Sequence, residues 1–200
     1  MGKSAVLVVD CWDKHWDKDS QKSLDDGCPK INEFLNKMRK RGSLIIHCIS
    51  DVVGKVKYLE EKYQYTKRNK MGIMKELQEM NFPMVLDAPG PKIWTKGHES
   101  ININENDFNT TDVNQIYNII KQNNIETLYY VGYHANICLL WTRPFSIMQM
   151  KNNFDGKIYL IEDLTDWFGK YTNRVIDFYN KFICKTINSK EVYEKDIIHN

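Results

Sequence analysis

Short, mostly apolar runs set the main limit on how this chain can fold. Four of them have the length of a β-strand and lie at residues 5–9, 43–50, 127–131 and 157–161. Such runs are typical of strands in a parallel sheet that helices cover on both faces. Between them apolar residues recur at helical spacing, as in residues 31–38 and 113–120. The alternation predicts an α/β fold of three layers, α/β/α, around a mainly parallel central sheet of about six strands.

The composition favours one domain over residues 1–200. A chain of 200 residues that is 42% hydrophobic can bury one substantial core. The net charge of +2 is spread along the chain, and its densest basic cluster, residues 67–70, is typical of a solvated face, so no nucleic-acid partner is expected. No apolar run reaches the length of a membrane span, so we expect no membrane partner. Five cysteines without a Cys-x-x-Cys pair favour a reducing compartment and a cytoplasmic location.

Asp10 ends the first predicted strand directly. In open α/β sheets ligands bind beyond the carboxyl ends of the strands, so an acid there is a candidate site residue. The loop that follows, residues 10–16, holds two tryptophans, a histidine and two acids. The alternative is a loop that only covers the core.

The stretch from Gly132 to Cys138 connects the predicted strand at 127–131 to a helix expected over residues 139–150, despite Pro144. A cysteine in the first turn of a helix faces free backbone N–H groups and the positive end of the helix dipole, which favour the thiolate. The same donors could stabilise an oxyanion. Cys138 is therefore a candidate nucleophile, and the only reactive thiol that we expect among the five. The alternative is a small buried apolar residue.

Lys96 lies in the stretch 93–100, which we expect to contain a short strand. An isolated lysine is usually solvated. It is informative only if it points at the same place as Asp10 and Cys138.

The order of these motifs resembles the isochorismatase-like cysteine hydrolase superfamily across essentially the whole chain: a strand ending in Asp10, Lys-x-x-x-Ser from Lys96, and Gly-x-x-x-Asn-x-Cys ending at Cys138. The resemblance implies a Rossmann-like topology. It makes Cys138 the nucleophile, Asp10 the group that accepts and returns its proton, and Lys96 the cation that positions them. It also implies a cis peptide bond between Tyr133 and His134, and an oxyanion hole formed by the backbone N–H groups of His134 and Cys138.

The sequence also departs from the resemblance. Metal-binding members carry Asp-x-His after the second strand, whereas residues 51–53 read Asp-Val-Val, so we expect neither a metal nor another cofactor. Metal-free relatives hydrolyse linear amides and ureido or carbamoyl compounds. The expected function is therefore hydrolysis of a small-molecule C–N bond through a thioester on Cys138. The alternatives are a catalytically silent binding or assembly module and a vinyl ether hydrolase, although the latter relatives lack the cysteine. The resemblance also implies a homo-oligomer, a dimer or tetramer.

Aromatic and histidine side chains near the three motifs are the expected walls of a pocket for a small-molecule substrate. They are Trp12, His15, Trp16, Trp94, His98, Tyr133 and Trp141. A zinc site from His15, His98 and His134 is an alternative that the spacing does not support. A phosphate-binding loop between Cys138 and Arg143 is excluded, because only four residues separate them and none is glycine.

Overall fold

The central sheet is entirely parallel in the computed structural model, which describes residues 2–52, 59–82, 84, 90–169 and 173–194. Within these residues its six strands lie in the order β3-β2-β1-β4-β5-β6, and every neighbouring pair is parallel. The strands are β1 Lys3–Val9, β2 Leu44–Cys48, β3 Phe108–Asn109, β4 Ile125–Gly132, β5 Lys157–Thr165 and β6 Lys185–Ile187. The predicted α/β class and parallel sheet are confirmed.

Strand β1 shows why the sheet needs a helical layer on each face. Its residues 5–9 are all fully buried, and successive side chains point to opposite faces. Ala5, Leu7 and Val9 pack against one layer, and Val6 and Val8 against the other. The first layer contains α2 Lys70–Glu79, α3 Val113–Gln122, α4 Ile147–Met150 and α5 Asn173–Phe182. The second contains α1 Lys18–Lys40 and α6 Ser189–Glu194, so the predicted three layers are confirmed.

Helix α1 begins earlier than its apolar spacing predicts. Asp17 caps it by accepting the Ser20 N–H, and the helix runs through residues 26–29 despite their Asp-Gly-Cys-Pro sequence, which is typical of a turn. Gly27 has a packing role, because a Cβ there would lie 2.0 Å from the Tyr133 hydroxyl oxygen. The helix ends just before Gly42, whose φ is +79°.

The sheet order reverses between β1 and β4. Val9, the last residue of β1, lies opposite Gly132, the last residue of β4. Gly132 has φ +113°, and a Cβ there would lie 2.0 Å from the Val9 carbonyl oxygen, so no larger residue fits. Ligands of doubly wound sheets bind at this reversal, beyond the carboxyl ends of the strands. Asp10 and the segment leading to Cys138 both begin there.

The stretch around Lys96 forms no strand of the sheet. Its β pairing among the described residues is a single antiparallel bridge between Gly97 and Trp12, so the expected short strand is wrong. Among the helices that the structure describes, none is long and apolar enough to cross a membrane.

Candidate active site

Asp10 is a fully buried carboxylate at the end of β1. Its backbone adopts the left-handed region at φ +50°, which is uncommon for a residue other than glycine. Its Oδ1 accepts the Ser50 N–H at 2.8 Å, and its Oδ2 lies 2.6 Å from Nε of Arg143. Both carboxylate oxygens therefore have a partner, and one of these partners is a cation.

Cys138 opens a five-residue π-helical turn, Cys138–Thr142, rather than a long α-helix. Its side chain is only 6% exposed. Burial, followed by the charge of Asp10, raises the pKa of the Cys138 thiol to about 12, although Arg143 and the His134 N–H act to lower it. The expectation of a lowered pKa is wrong, because a single short helical turn cannot offset burial near a carboxylate. The resting group is therefore a thiol.

Arg143 is the site residue that sequence reasoning missed. The expected helix over residues 139–150 breaks at this residue, which is extended and precedes Pro144, and a helix resumes only at Ile147. The break brings the guanidinium to Asp10. Burial alone would lower the pKa of Arg143, but the negative charge of Asp10 raises it above its ordinary value. The guanidinium carbon also lies 5.7 Å from the centre of the Trp12 ring.

Lys96 lies apart from the ion pair of Asp10 and Arg143. Asp13 accepts hydrogen bonds from the Thr95 N–H and hydroxyl and from the Lys96 N–H, which fixes the backbone of this segment against the loop after β1. The Lys96 side chain is exposed and lines a surface pocket together with Lys14 and His98. Its side chain makes no ion pair with Asp10 in the described residues, and its catalytic role stays a prediction.

Four of the predicted pocket residues do come together beside Asp10. The rings of Trp12 and Trp94 stack at 4.2 Å between centres, and those of His15 and Trp16 at 5.3 Å. His15 links the two pairs, since its ring centre lies 6.2 Å from that of Trp12. Phe168, which the sequence did not single out, closes the cluster 5.8 Å from Trp16.

His134 joins this aromatic cluster through its side chain as well as its backbone. Its ring packs edge-on against His15 at 5.4 Å, and neither ring nitrogen has a hydrogen-bond partner among the described residues. Burial lowers the pKa of His134 to about 3, so the imidazole is neutral. The peptide bond between Tyr133 and His134 is cis, which confirms that expectation.

The three other predicted pocket residues are not part of this ring stack. His98 pairs with Asp25 at 3.2 Å and lines the same pocket as Lys96. Tyr133 packs edge-on against His134 at 5.9 Å between ring centres, and it donates its hydroxyl to the Ser23 carbonyl in the layer that contains α1. Trp141 is buried in the same core cluster as Trp12 and Cys138.

The zinc alternative loses one of its ligands, because His98 lies apart from His15 and His134. In the part of the chain that the structure describes, no three His, Cys, Asp or Glu side chains are grouped closely enough to hold a metal ion. Position 53, where the sequence departs from the metal-binding motif, lies outside the described residues.

The doubly wound three-layer fold is shared with solved structures of isochorismatase-like proteins. The chain is similar to the structure of a cysteine hydrolase from Pseudomonas syringae pv. phaseolicola 1448A, with 14% identity, a TM-score of 0.59, and coverage of 96% of this chain and 92% of that chain. It is also similar to N-carbamoylsarcosine amidase from Thermoplasma acidophilum, with 14% identity, a TM-score of 0.54, and coverage of 94% and 96%. A third is the pyrazinamidase of Pyrococcus horikoshii in complex with zinc, with 14% identity, a TM-score of 0.54, and coverage of 93% and 99%.

No family model matches the sequence, and no curated protein matches it. At these identities the likeness shows the fold, which is isochorismatase-like as the motif order implied.

Proposed function

We propose that this protein is a cysteine-dependent hydrolase of small-molecule C–N bonds, in amide, ureido or carbamoyl compounds. One observation carries the proposal: the buried Asp10 carboxylate contacts Arg143 at 2.6 Å and lies close enough to Cys138 to raise the pKa of its thiol. A thiol becomes a strong nucleophile only when its proton has an acceptor, and Asp10 is the acceptor that we propose. Two proteins of the same fold are named an amidase and a pyrazinamidase, which supports the reaction class.

The first half of the reaction uses Asp10 as base and then as acid. As Cys138 Sγ attacks the carbonyl carbon, its proton moves to Asp10 and the carbonyl oxygen becomes an oxyanion. The backbone N–H groups of His134 and Cys138 are the proposed donors to that oxyanion. Asp10 then protonates the leaving nitrogen as the C–N bond breaks. The products are an amine or ammonia and a thioester on Cys138.

Water completes the cycle. It gives a proton to Asp10 as its oxygen bonds to the thioester carbon. The C–S bond breaks, and Asp10 returns the proton to the Cys138 sulfur. Because the pKa of Cys138 is raised to about 12, the attack requires proton transfer to Asp10 and cannot draw on a standing thiolate.

The test is a panel of small amides, ureido acids and carbamoyl compounds, assayed for ammonia release and for an acyl adduct by intact-protein mass spectrometry. We expect at least one class to be hydrolysed and to leave its acyl group on Cys138. Cys138→Ser should abolish both signals. Cys184→Ser, the same chemical change outside the site, should leave them unchanged. Hydrolysis that survives Cys138→Ser would contradict the mechanism.

The position of Lys96 favours one alternative, a binding module without catalysis. Its side chain is exposed and unpaired with Asp10 within the described residues. A silent module would bind members of the same panel without releasing ammonia, and binding would persist in Cys138→Ser. Turnover by the unmodified protein excludes this alternative.

A further inference from the structure

The guanidinium of Arg143 has unused hydrogen-bonding capacity. It carries five N–H donors, and Asp10 takes the one on Nε at 2.6 Å. The four donors on the two terminal nitrogens have no partner among the described residues. The side chain is 24% exposed although Asp10 beside it is fully buried, so one side of the guanidinium can be reached from outside.

The groups beside Arg143 also suit an acceptor. The guanidinium lies over Trp12, which stacks on Trp94. The indole nitrogen of Trp94 is a buried donor without a partner in the described residues, whereas that of Trp12 donates to the Ser50 carbonyl. The unpaired terminal donors of Arg143 favour a ligand that brings oxygen acceptors and negative charge, and the Trp94 indole N–H is a further unpaired donor in the same cluster of rings.

The proposed reaction strengthens this preference as it proceeds. Before attack, the charge of Arg143 is balanced by Asp10. When Asp10 takes the Cys138 proton it becomes neutral, and the negative charge moves to the oxyanion of the substrate. A substrate carboxylate on Arg143 then no longer competes with a charged Asp10 for the same guanidinium, which favours its binding in the transition state.

We propose that Arg143 selects anionic substrates, in which a carboxylate lies near the carbonyl carbon that Cys138 attacks. The proximity follows because Asp10 lies 2.6 Å from Arg143 and is the carboxylate proposed to take the Cys138 proton. Ureido acids and monoamides of short dicarboxylic acids have this chemistry. As a statement about substrates, the inference rests on the proposed function. The preference of Cys138 for an anionic alkylating agent does not depend on that function.

Two alkylating agents of nearly equal size test it without any turnover. Iodoacetate and iodoacetamide both lose iodide as Sγ bonds to their CH₂ carbon and the thiol proton leaves for Asp10 or solvent, but only iodoacetate is an anion. Rates at Cys138 are measured by peptide mapping. The ratio of the iodoacetate to the iodoacetamide rate should exceed the ratio for glutathione by about fivefold, the upper range for one partly exposed ion pair.

Variants assign that preference to one side chain. Arg143→Gln should bring the ratio down to that of glutathione. Lys14→Gln, the same loss of charge at an exposed lysine, should leave it high. Salt gives a readout on the unmodified protein: at about 0.5 M NaCl, where the screening length is about 4 Å, the ratio should fall toward that of glutathione.

The inference is overturned if the unmodified protein at low salt shows the ratio of glutathione, or if Lys14→Gln lowers it as much as Arg143→Gln. Its failure can be told from failure of the proposed function. Preference for iodoacetate without hydrolysis of any compound would support the anion site and refute the hydrolase. Hydrolysis of neutral amides with no preference for iodoacetate would support the hydrolase and refute the anion site.

Discussion

Replacing Arg143 by glutamine should destabilise the fold far more than replacing any exposed cation. The carboxylate of Asp10 is fully buried, and Arg143 supplies the partner of one of its two oxygens. Removing one member of a buried ion pair typically costs about 3–5 kcal/mol, because the other charge is left uncompensated. Arg143 is 24% exposed, so water can reach the vacated position, and we expect the low end of that range, about 3 kcal/mol.

A double-mutant cycle isolates the pair. Asp10→Asn removes the charge that Arg143 balances, so Arg143→Gln should cost much less in the Asp10→Asn background, with a coupling of about 2 kcal/mol. Urea unfolding, followed by far-UV circular dichroism and tryptophan fluorescence, gives each free energy of unfolding. Lys96→Gln is the matched control and should change stability by less than about 0.5 kcal/mol, since its side chain is exposed.

Three results would refute this reasoning. Arg143→Gln could cost less than about 1 kcal/mol, which is the range of a surface ion pair. The effects of Asp10→Asn and Arg143→Gln could simply add. Finally, Lys96→Gln could destabilise as much as Arg143→Gln, which would make Lys96 the cation that Asp10 needs.

Four further outcomes follow from the site. The pKa of His134 is lowered from 6.5 to about 3, so unfolding takes up a proton between those values. Stability should therefore fall by about 2 kcal/mol from pH 7 to pH 5, a loss that urea titrations at each pH should show to be smaller in His134→Asn. Limited iodoacetamide treatment with peptide mapping should modify Cys138 before the other four cysteines, and faster as pH rises, because Asp10 can take its proton, whereas Cys11 and Cys48, which Asp10 also influences, are fully buried. Once a substrate is known, Asp10→Asn and Cys138→Ser should each lower kcat by about 10² or more, and the double variant by little more, because the two act as a unit. In the same assay Lys96→Gln should lower kcat/KM less than Arg143→Gln; the opposite order would give Lys96 the role that the resemblance implies.

The fold could be predicted because burial leaves a local record in the sequence. A strand covered on both faces must be apolar throughout, and residues 5–9 show this and are all fully buried. The same logic located Asp10, since a polar residue directly after such a run lies at the carboxyl edge of the sheet. Strand β3 escaped notice because its two residues are held by neighbours in space, with Ile46 paired to Phe108.

The cation of the site could not be predicted in this way. Whether Lys96 or Arg143 reaches Asp10 depends on how two loops return to the sheet edge, and local spacing carries no information on that. Three hydrogen bonds to Asp13 hold the segment on which Lys96 lies. The interruption of the helix before Pro144 brings Arg143 to Asp10. One signal was available in the sequence: Arg143 follows Cys138 by a short span, and the same spacing excludes a phosphate-binding loop.

The charges at the switch point explain why the Cys138 thiol keeps its proton. Asp10 and Arg143 together are neutral, and a neutral thiol beside them adds no charge to a buried site. A standing thiolate would place a second negative charge next to Asp10 with a single guanidinium for both, in surroundings where desolvation is costly. Moving the proton onto Asp10 as the sulfur attacks avoids that state, because at every stage the site carries one anion opposite Arg143. Nucleophilic attack and proton transfer are therefore coupled by the burial of Asp10, and a variant that admits water at this carboxylate should lose the coupling before it loses the fold.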